Sequence, residues 1–132
     1  MAALSPEALA KRTYDFALRV IRLTDALPVR RAASRILGDQ LLRSAVSIAA
    51  NYEEARGAIS HRDFTNKIAL AYKECRESVM LLGLICDGGL LPPPRLGAII
   101  TEAKELRAIL GTSLRTARKL SNPQILKSSN QK

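Results

Sequence analysis

A chain of 132 residues with 21 Lys and Arg against 12 Asp and Glu carries a net charge of +9 near neutral pH. That length suits one domain able to bury roughly two-thirds of its unfolded surface. Aromatics make up 4% of the residues and Trp is absent, so the core must come from Leu, Ile, Val and Ala. No sustained alternation of apolar and polar residues occurs, which excludes a sheet and leaves an all-α fold. The longest apolar run, Val79 to Cys86, is far too short to span a bilayer. No basic region followed by an apolar stretch marks a signal peptide at the N-terminus. The expectation is a cytoplasmic protein without a membrane partner.

The first helix announces its start. Ser5 is placed to cap, Pro6 fits the first helical position and Glu7 suits the positive end of the helix dipole. Leu9, Phe16, Val20, Leu23 and Leu27 follow at helical spacing, and Pro28 ends the helix or opens the next. The second helix is expected from about Val29 to Arg56, with Gly57 as its stop. Gly38 inside it either allows a close approach or marks a kink. The third helix opens at Ser60, which with Asp63 forms a variant of the capping box. Phe64, Ile68, Ala71, Cys75, Val79, Leu82 and Cys86 form its apolar stripe. Val79 to Cys86 is apolar all round, so that end is either deeply buried or part of an interface. Gly88-Gly89 stops the helix.

Pro92, Pro93 and Pro94 read as a stiff turn, and the fourth helix is expected from about Arg95 to Leu120. Its stripe of Leu96, Ile99, Ala103, Leu106, Leu110, Leu114 and Ala117 approaches a heptad seam. Four stripes joined by short turns describe an up-down-up-down antiparallel four-helix bundle over residues 1–120. Residues 121–132, mostly Ser, Asn, Gln and Lys, read as a flexible polar tail.

The second helix has the widest apolar arc. Leu37, Leu41, Ala45, Ile48 and Tyr52 make one stripe, and Leu42, Val46 and Ala49 a second beside it. Together they cover roughly half the circumference at about 100° per residue, more than the edge helix of a lone bundle needs. The excess implies that this helix packs within its own subunit and also against something else. On its remaining side, Gln40, Arg43, Ser47 and Asn51 fall within about 80° of one another. They suit either phosphate contact or, preferentially, hydrogen bonding to a neighbouring helix or subunit, since a buried polar group needs a partner.

Of the net charge, +4 falls between residues 90 and 120. There Lys104, Arg107, Arg115 and Arg118 share one face of the fourth helix with Gly111 between the pairs. Such a row suits a phosphate backbone, and it equally suits solvent. No aromatic lies among these residues to stack a base.

Little else suggests chemistry. His61 reads as an exposed residue of the first turn, without the second His of a metal pair or a nucleophile to activate. Glu53 and Glu54 are adjacent and point apart, and the Glu-x-x-His repeats of bundle iron sites are missing. Cys75 and Cys86 lie ~16 Å apart along one helix, too far for a disulfide, and without zinc-site spacing. They read as two buried structural thiols. The expectation is no metal, no cofactor and no enzymatic activity.

Gln40, Arg43, Ala45, Ser47, Ile48, Asn51 and Glu53/Glu54, together with the segment Phe64 to Glu74 of pattern F-x-x-K-I-A-x-A-x-K-E, resemble the signature of the small bacterial four helix bundle protein family. Its members are often encoded in intervening sequences of 23S ribosomal RNA genes. Relatives include the accessory variability protein that assists the reverse transcriptase of diversity-generating retroelements. The resemblance extends from about Tyr14 to Leu120. Two departures stand out: Ser44 replaces a second Arg, and Tyr52-Glu53-Glu54-Ala55 replaces the usual I-A-E-G. The lost Arg weakens any nucleic-acid contact carried over to the second helix.

The resemblance implies a non-enzymatic homo-oligomer, a pentamer, with a basic surface or channel for nucleic acid and a reverse transcriptase or other nucleic-acid enzyme as partner. The expected ligand is RNA or an RNA–DNA hybrid, held at its phosphates by Arg43, Lys104, Arg107, Arg115 and Arg118. Gln40, Ser47 and Asn51 are expected at an oligomeric or interhelical contact. The alternative is a protein–protein scaffold that binds no nucleic acid directly.

Overall fold

The computed structural model describes residues 4–121. It contains four α-helices: α1 (Pro6–Asp25), α2 (Ala32–Arg56), α3 (His61–Asp87) and α4 (Pro93–Leu120). No strand occurs among the described residues. Of the polar tail expected at 121–132, all but Ser121 lies outside them.

Successive helices run antiparallel. Gly38 of α2 meets Thr24 and Leu27 at the far end of α1, while Tyr52, in the last turns of α2, reaches the carbonyl of Pro6. Ser44 of α2 faces Ser78 of α3, and Cys75 of α3 faces Ala103 of α4. Each helix packs on its neighbours in chain order, α4 closes back on α1, and neither diagonal pair packs backbone to backbone. The α1–α4 seam is the sparsest. This is the up-down-up-down bundle implied by the four stripes. Its core draws on all four helices, with Phe16, Leu41, Ile48, Ile68, Leu82, Leu96, Leu106 and Leu110 among the fully buried side chains.

The helix starts follow the capping residues. Ser5 Oγ accepts from Ala8 N at 3.1 Å. Ser60 Oγ accepts from Asp63 N at 3.0 Å. Asp63 reaches back as expected, but to the N–H of Ile59 at 3.3 Å, one residue before the cap. Two starts differ from the sequence reading. The second helix begins at Ala32, three residues late, because Pro28 to Arg31 form a turn closed by the bond from Arg31 N to Pro28 O at 3.2 Å. The fourth begins at Pro93, so Pro93 and Pro94 are its first turn and not a spacer. First-turn N–H groups have no acceptor inside the helix, and proline loses nothing there.

At Gly38, an added Cβ would stand 3.0 Å from Leu27 Cδ1; the missing side chain is what lets α1 close on α2. At the end of α3, Gly89 has φ +69°, a left-handed conformation that glycine adopts freely. The chain reverses there, with Leu90 N bonded to Ile85 O at 3.0 Å. Arg31 holds the reversal from α2's side, donating to the carbonyls of Gly88 and Gly89 at 3.2 and 3.3 Å.

The buried polar link between α2 and α3 is the Ser44–Ser78 pair, 2.7 Å apart, each almost fully buried. Ser44 donates to Leu41 O at 3.0 Å, so Ser78 donates to Ser44. Replacing Ser78 by Ala strands a buried acceptor and should cost about 1–2 kcal/mol. Adding Ser44→Ala should cost less than the sum of the two single changes, because both delete one shared bond. Urea denaturation of the two single variants and the double variant measures this coupling, and strict additivity would contradict it.

Candidate nucleic-acid interface

Helix α4 presents different chemistry to each neighbour. Toward α1 it offers its two acids, Glu102 and Glu105. Arg12 takes both: Nε donates to Glu102 Oε2 at 3.1 Å, and Nη2 donates to Glu102 Oε1 and, at 2.9 Å, to Glu105 Oε2. This charge-assisted contact raises the guanidinium's pKa above its ordinary value, against the opposing effect of burial. It also stitches the sparsest seam of the bundle. Toward α3, α4 is cationic. Gly111 lies against the Tyr72 ring, where a Cβ would come within 3.0 Å of Cε1. Arg107 and Arg115 flank that contact along the helix, with Lys104 and Arg118 further out.

The groove between α3 and α4 is lined by Tyr72, Lys73, Arg76, Glu77, Met80, Leu114 and Arg118, among others, and holds about 720 Å³. Lys73 and Arg76 therefore add two cations from α3 that the sequence reading did not single out. None of Lys73, Arg76, Lys104, Arg107, Arg115 and Arg118 makes an ion pair among the described residues. Arg115 makes one long contact, to Thr112 Oγ1 at 3.4 Å.

Arg43 stands apart from this row. It belongs to α2, which does not pack on α4, and its charge acts on Glu74 of α3. Burial holds the Glu74 carboxyl above the usual carboxylate range and Glu77 adds to the rise, while Lys73 and Arg43 oppose it. The polar stripe of α2 divides as well. Asn51 Nδ2 bonds to Ser47 O of its own helix at 2.8 Å. Gln40 and Ser47 are half-buried and make no side-chain bond to another helix among the described residues. The interhelical role expected of Gln40, Ser47 and Asn51 falls within this chain to Ser44, the residue that stands where the signature has its second Arg.

The second apolar stripe of α2 is only partly covered: Leu42 packs on the core and Ala49 is half-buried, but Val46 is exposed. Val46 is 47% exposed, and beside it on α1 Tyr14 is 63% and Ile21 41% exposed. With Ala17, Ala49 and Ala50 they line an apolar groove of about 470 Å³ between α1 and α2. The apolar end of α3 is likewise only half covered, since Met80 and Leu84 face outward.

His61 is more than an exposed turn residue. Its Nε2 lies 2.9 Å from Ala117 O, tying the start of α3 to the end of α4. Glu53 pairs with Arg56 of its own helix at 3.2 Å and Glu54 with Lys67 at 3.0 Å, so one acid of the first signature segment joins a lysine of the second. No group of three or more His, Cys, Asp or Glu side chains that could hold a metal comes together among the described residues. A depression of about 840 Å³ opens where α1 begins. Leu9, Tyr52, Phe64, Ile68 and Ile109 line it, and none of the α4 cation row does. No described helix is long and apolar enough to cross a membrane.

These features describe a helical bundle with a surface cation row. The sequence pattern of the 23S rRNA-intervening sequence protein family matches residues 8–112, and the chain belongs to that family. No curated protein matches. Among solved structures, the chain is similar to a protein with unknown function from the S23 ribosomal protein family of Bacteroides thetaiotaomicron. The two are 26% identical with a TM-score of 0.73, over 83% of this chain and 97% of that one.

The two thiols are not equivalent, contrary to the sequence reading. Cys75 is buried with Sγ 3.4 Å from Ala103 O, whereas Cys86 is only half-buried. Burial pushes the Cys75 thiol up to about 12, with Arg107 opposing and Glu102 adding to the rise. Since thiolate is the reactive form, iodoacetamide at neutral pH should label Cys86 in the native protein and reach Cys75 only on unfolding. Peptide mass spectrometry distinguishes the sites; equal native labelling would contradict the burial of Cys75.

Proposed function

We propose that this protein is a non-enzymatic, homo-oligomeric accessory protein that holds RNA or an RNA–DNA hybrid through its phosphates. The observation that carries the reading is the unpaired row Lys104, Arg107, Arg115 and Arg118, widened by Lys73 and Arg76 across the α3–α4 groove. Cations without ion-pair partners, outnumbering the one acid of the groove, Glu77, attract a polyanion through long-range potential and counterion release. Tyr72 in the groove offers one aromatic edge and no stacking platform, so recognition follows backbone charge more than base identity. Arg43, beside Glu74, contributes less than its place in the signature suggests.

The exposed stripe of Tyr14, Ile21 and Val46 supports self-association, and the family resemblance points to five copies around a ring. A reverse transcriptase or another nucleic-acid enzyme is the protein partner this reading accommodates. The second reading is a protein–protein scaffold. The same apolar groove favours it, because that surface receives a protein as readily as it receives a second copy.

RNA affinity should fall with salt at about −0.7 per phosphate neutralised on a log–log plot. The pair Arg115→Glu and Arg118→Glu should weaken binding and flatten the slope by about 0.7 per residue. Fluorescence anisotropy with single-stranded RNA measures both. Binding insensitive to salt, or absent at low salt, favours the scaffold, in which the same charge reversal leaves partner recovery unchanged.

Multi-angle light scattering tests assembly on its own. The wild-type protein should elute as an oligomer and Val46→Glu as a smaller species with unchanged helicity. A wild-type protein that stays a single subunit at high concentration removes the oligomer.

A further inference from the structure

The α1–α4 seam has a register that repeats along the bundle. Arg12 sits opposite Glu102 and Glu105. Seven residues along α1 and seven back along antiparallel α4, about 10.5 Å at the helical rise, the corresponding residues are Arg19, Arg95 and Ala98. Side chains two turns apart on a helix share a face, so the seam meets the same geometry again with the opposite chemistry. Where the carboxylates stood, there is an arginine and a methyl group.

These residues do come together. Arg19, Arg22 and Arg95 line one groove of about 230 Å³, whose remaining walls are Leu23, Leu91, Ala98 and Ile99. No acid lines it, and none of the three guanidinium groups is ion-paired among the described residues. Leu23, Leu91 and Ile99 are buried, so the cations stand around an apolar floor. Arg95 also lies in the first turn of α4, where the helix dipole adds further positive potential. Like charges gathered around one depression repel, and an anion between them relieves that repulsion.

We propose that the groove of Arg19, Arg22 and Arg95 is a phosphoryl-binding site. The planar forks of two or three guanidinium groups match the oxygens of a phosphate better than they match a halide. The volume admits a phosphate or diphosphate, and no aromatic side chain lines the groove to stack a base. The ligand is a phosphate ester, either free or within a nucleic-acid backbone. The site lies on the α1 flank of α4, opposite the α3–α4 groove, and does not depend on the nucleic-acid reading of that groove.

Inorganic pyrophosphate is the first probe, with thermal unfolding compared against sodium chloride at equal ionic strength. Wild-type protein should show a saturable rise in Tm beyond that of chloride. Arg95→Glu should place a carboxylate opposite Arg19 as Glu102 is placed opposite Arg12. That variant should match or exceed the wild-type Tm without pyrophosphate and bind it about tenfold or more weakly. Arg22→Gln removes one fork without reversing charge and should weaken binding in the same direction. The Arg115→Glu and Arg118→Glu pair should keep the full response, which separates this site from the α3–α4 groove. Displacement of pyrophosphate by a uridine decanucleotide assigns the site to a nucleic-acid backbone, and retention assigns it to a free phosphate ester; each agrees with phosphoryl binding. No rise beyond chloride, a response unchanged by both Arg95→Glu and Arg22→Gln, or one lost equally in the Arg115/Arg118 pair would overturn the proposal.

Discussion

Helix α4 contains two acids, and one arginine of α1 binds both. The contact of Arg12 with Glu102 and Glu105 joins the two helices that pack most sparsely and completes the ring of four. It also determines what α4 shows elsewhere. With both carboxylates turned toward α1, the remaining charge of α4 is entirely positive: Arg95, Lys104, Arg107, Arg115, Arg118 and Lys119. A helix whose acids alternated with its bases would screen itself by pairs three and four residues apart. Here that pairing is made across helices, and the exterior is left unscreened.

Helix α2 faces a different constraint. It lies between α1 and α3 and makes the most extensive of the helix contacts with α3. Two approaches meet its needs: Gly38 against Leu27, and the Ser44–Ser78 hydrogen bond in place of an apolar contact. With its inward stripe occupied, the outward stripe through Val46 is left beside Tyr14 and Ile21. Exposed apolar side chains are ordinary when scattered. Contiguous ones lining a groove mark a surface shaped for contact, and the α1–α2 face lies on the side of the bundle away from the α3–α4 groove.

Much of this was legible in the sequence because helical periodicity is a local property. The stripe of α4 is buried residue for residue as its spacing implies, and Ser5 and Ser60 cap where their side chains allow. Boundaries that depend on proline and turn geometry were less legible. Pro93 and Pro94 enter the helix because the first turn tolerates them, and Pro28 delays α2 by closing a turn. Relations across helices were hidden. Arg43 and the α4 cations look alike on a helical wheel, but α3 separates them. Lys73 and Arg76 gain meaning only once α3 is set beside α4. The departure at Ser44 was visible as a substitution, yet its buried partner Ser78 lies 34 residues away. Glu54 and Lys67, in separate signature segments, turn out to be an ion pair, so part of the family pattern preserves packing and charge balance near the α2–α3 turn.

Both proposed phosphate contacts include cations of α4, one on each flank, and the surface between them bears on whether a single strand could use both. Arg95 and Arg118 are 23 residues apart, about 35 Å along the helix. The outer face between them carries Gly97, Thr101, Ala108 and Thr112, all exposed and uncharged. Small side chains let a backbone approach closely, and none introduces a negative charge. Glu105 is the one acid near this path, and Arg12, shared with Glu102, pairs with it. A strand crossing from the α1 flank to the α3 flank would thus meet cations at both ends, Lys104 midway and no unpaired carboxylate on α4. The same ion pair that closes the bundle draws that acid toward α1.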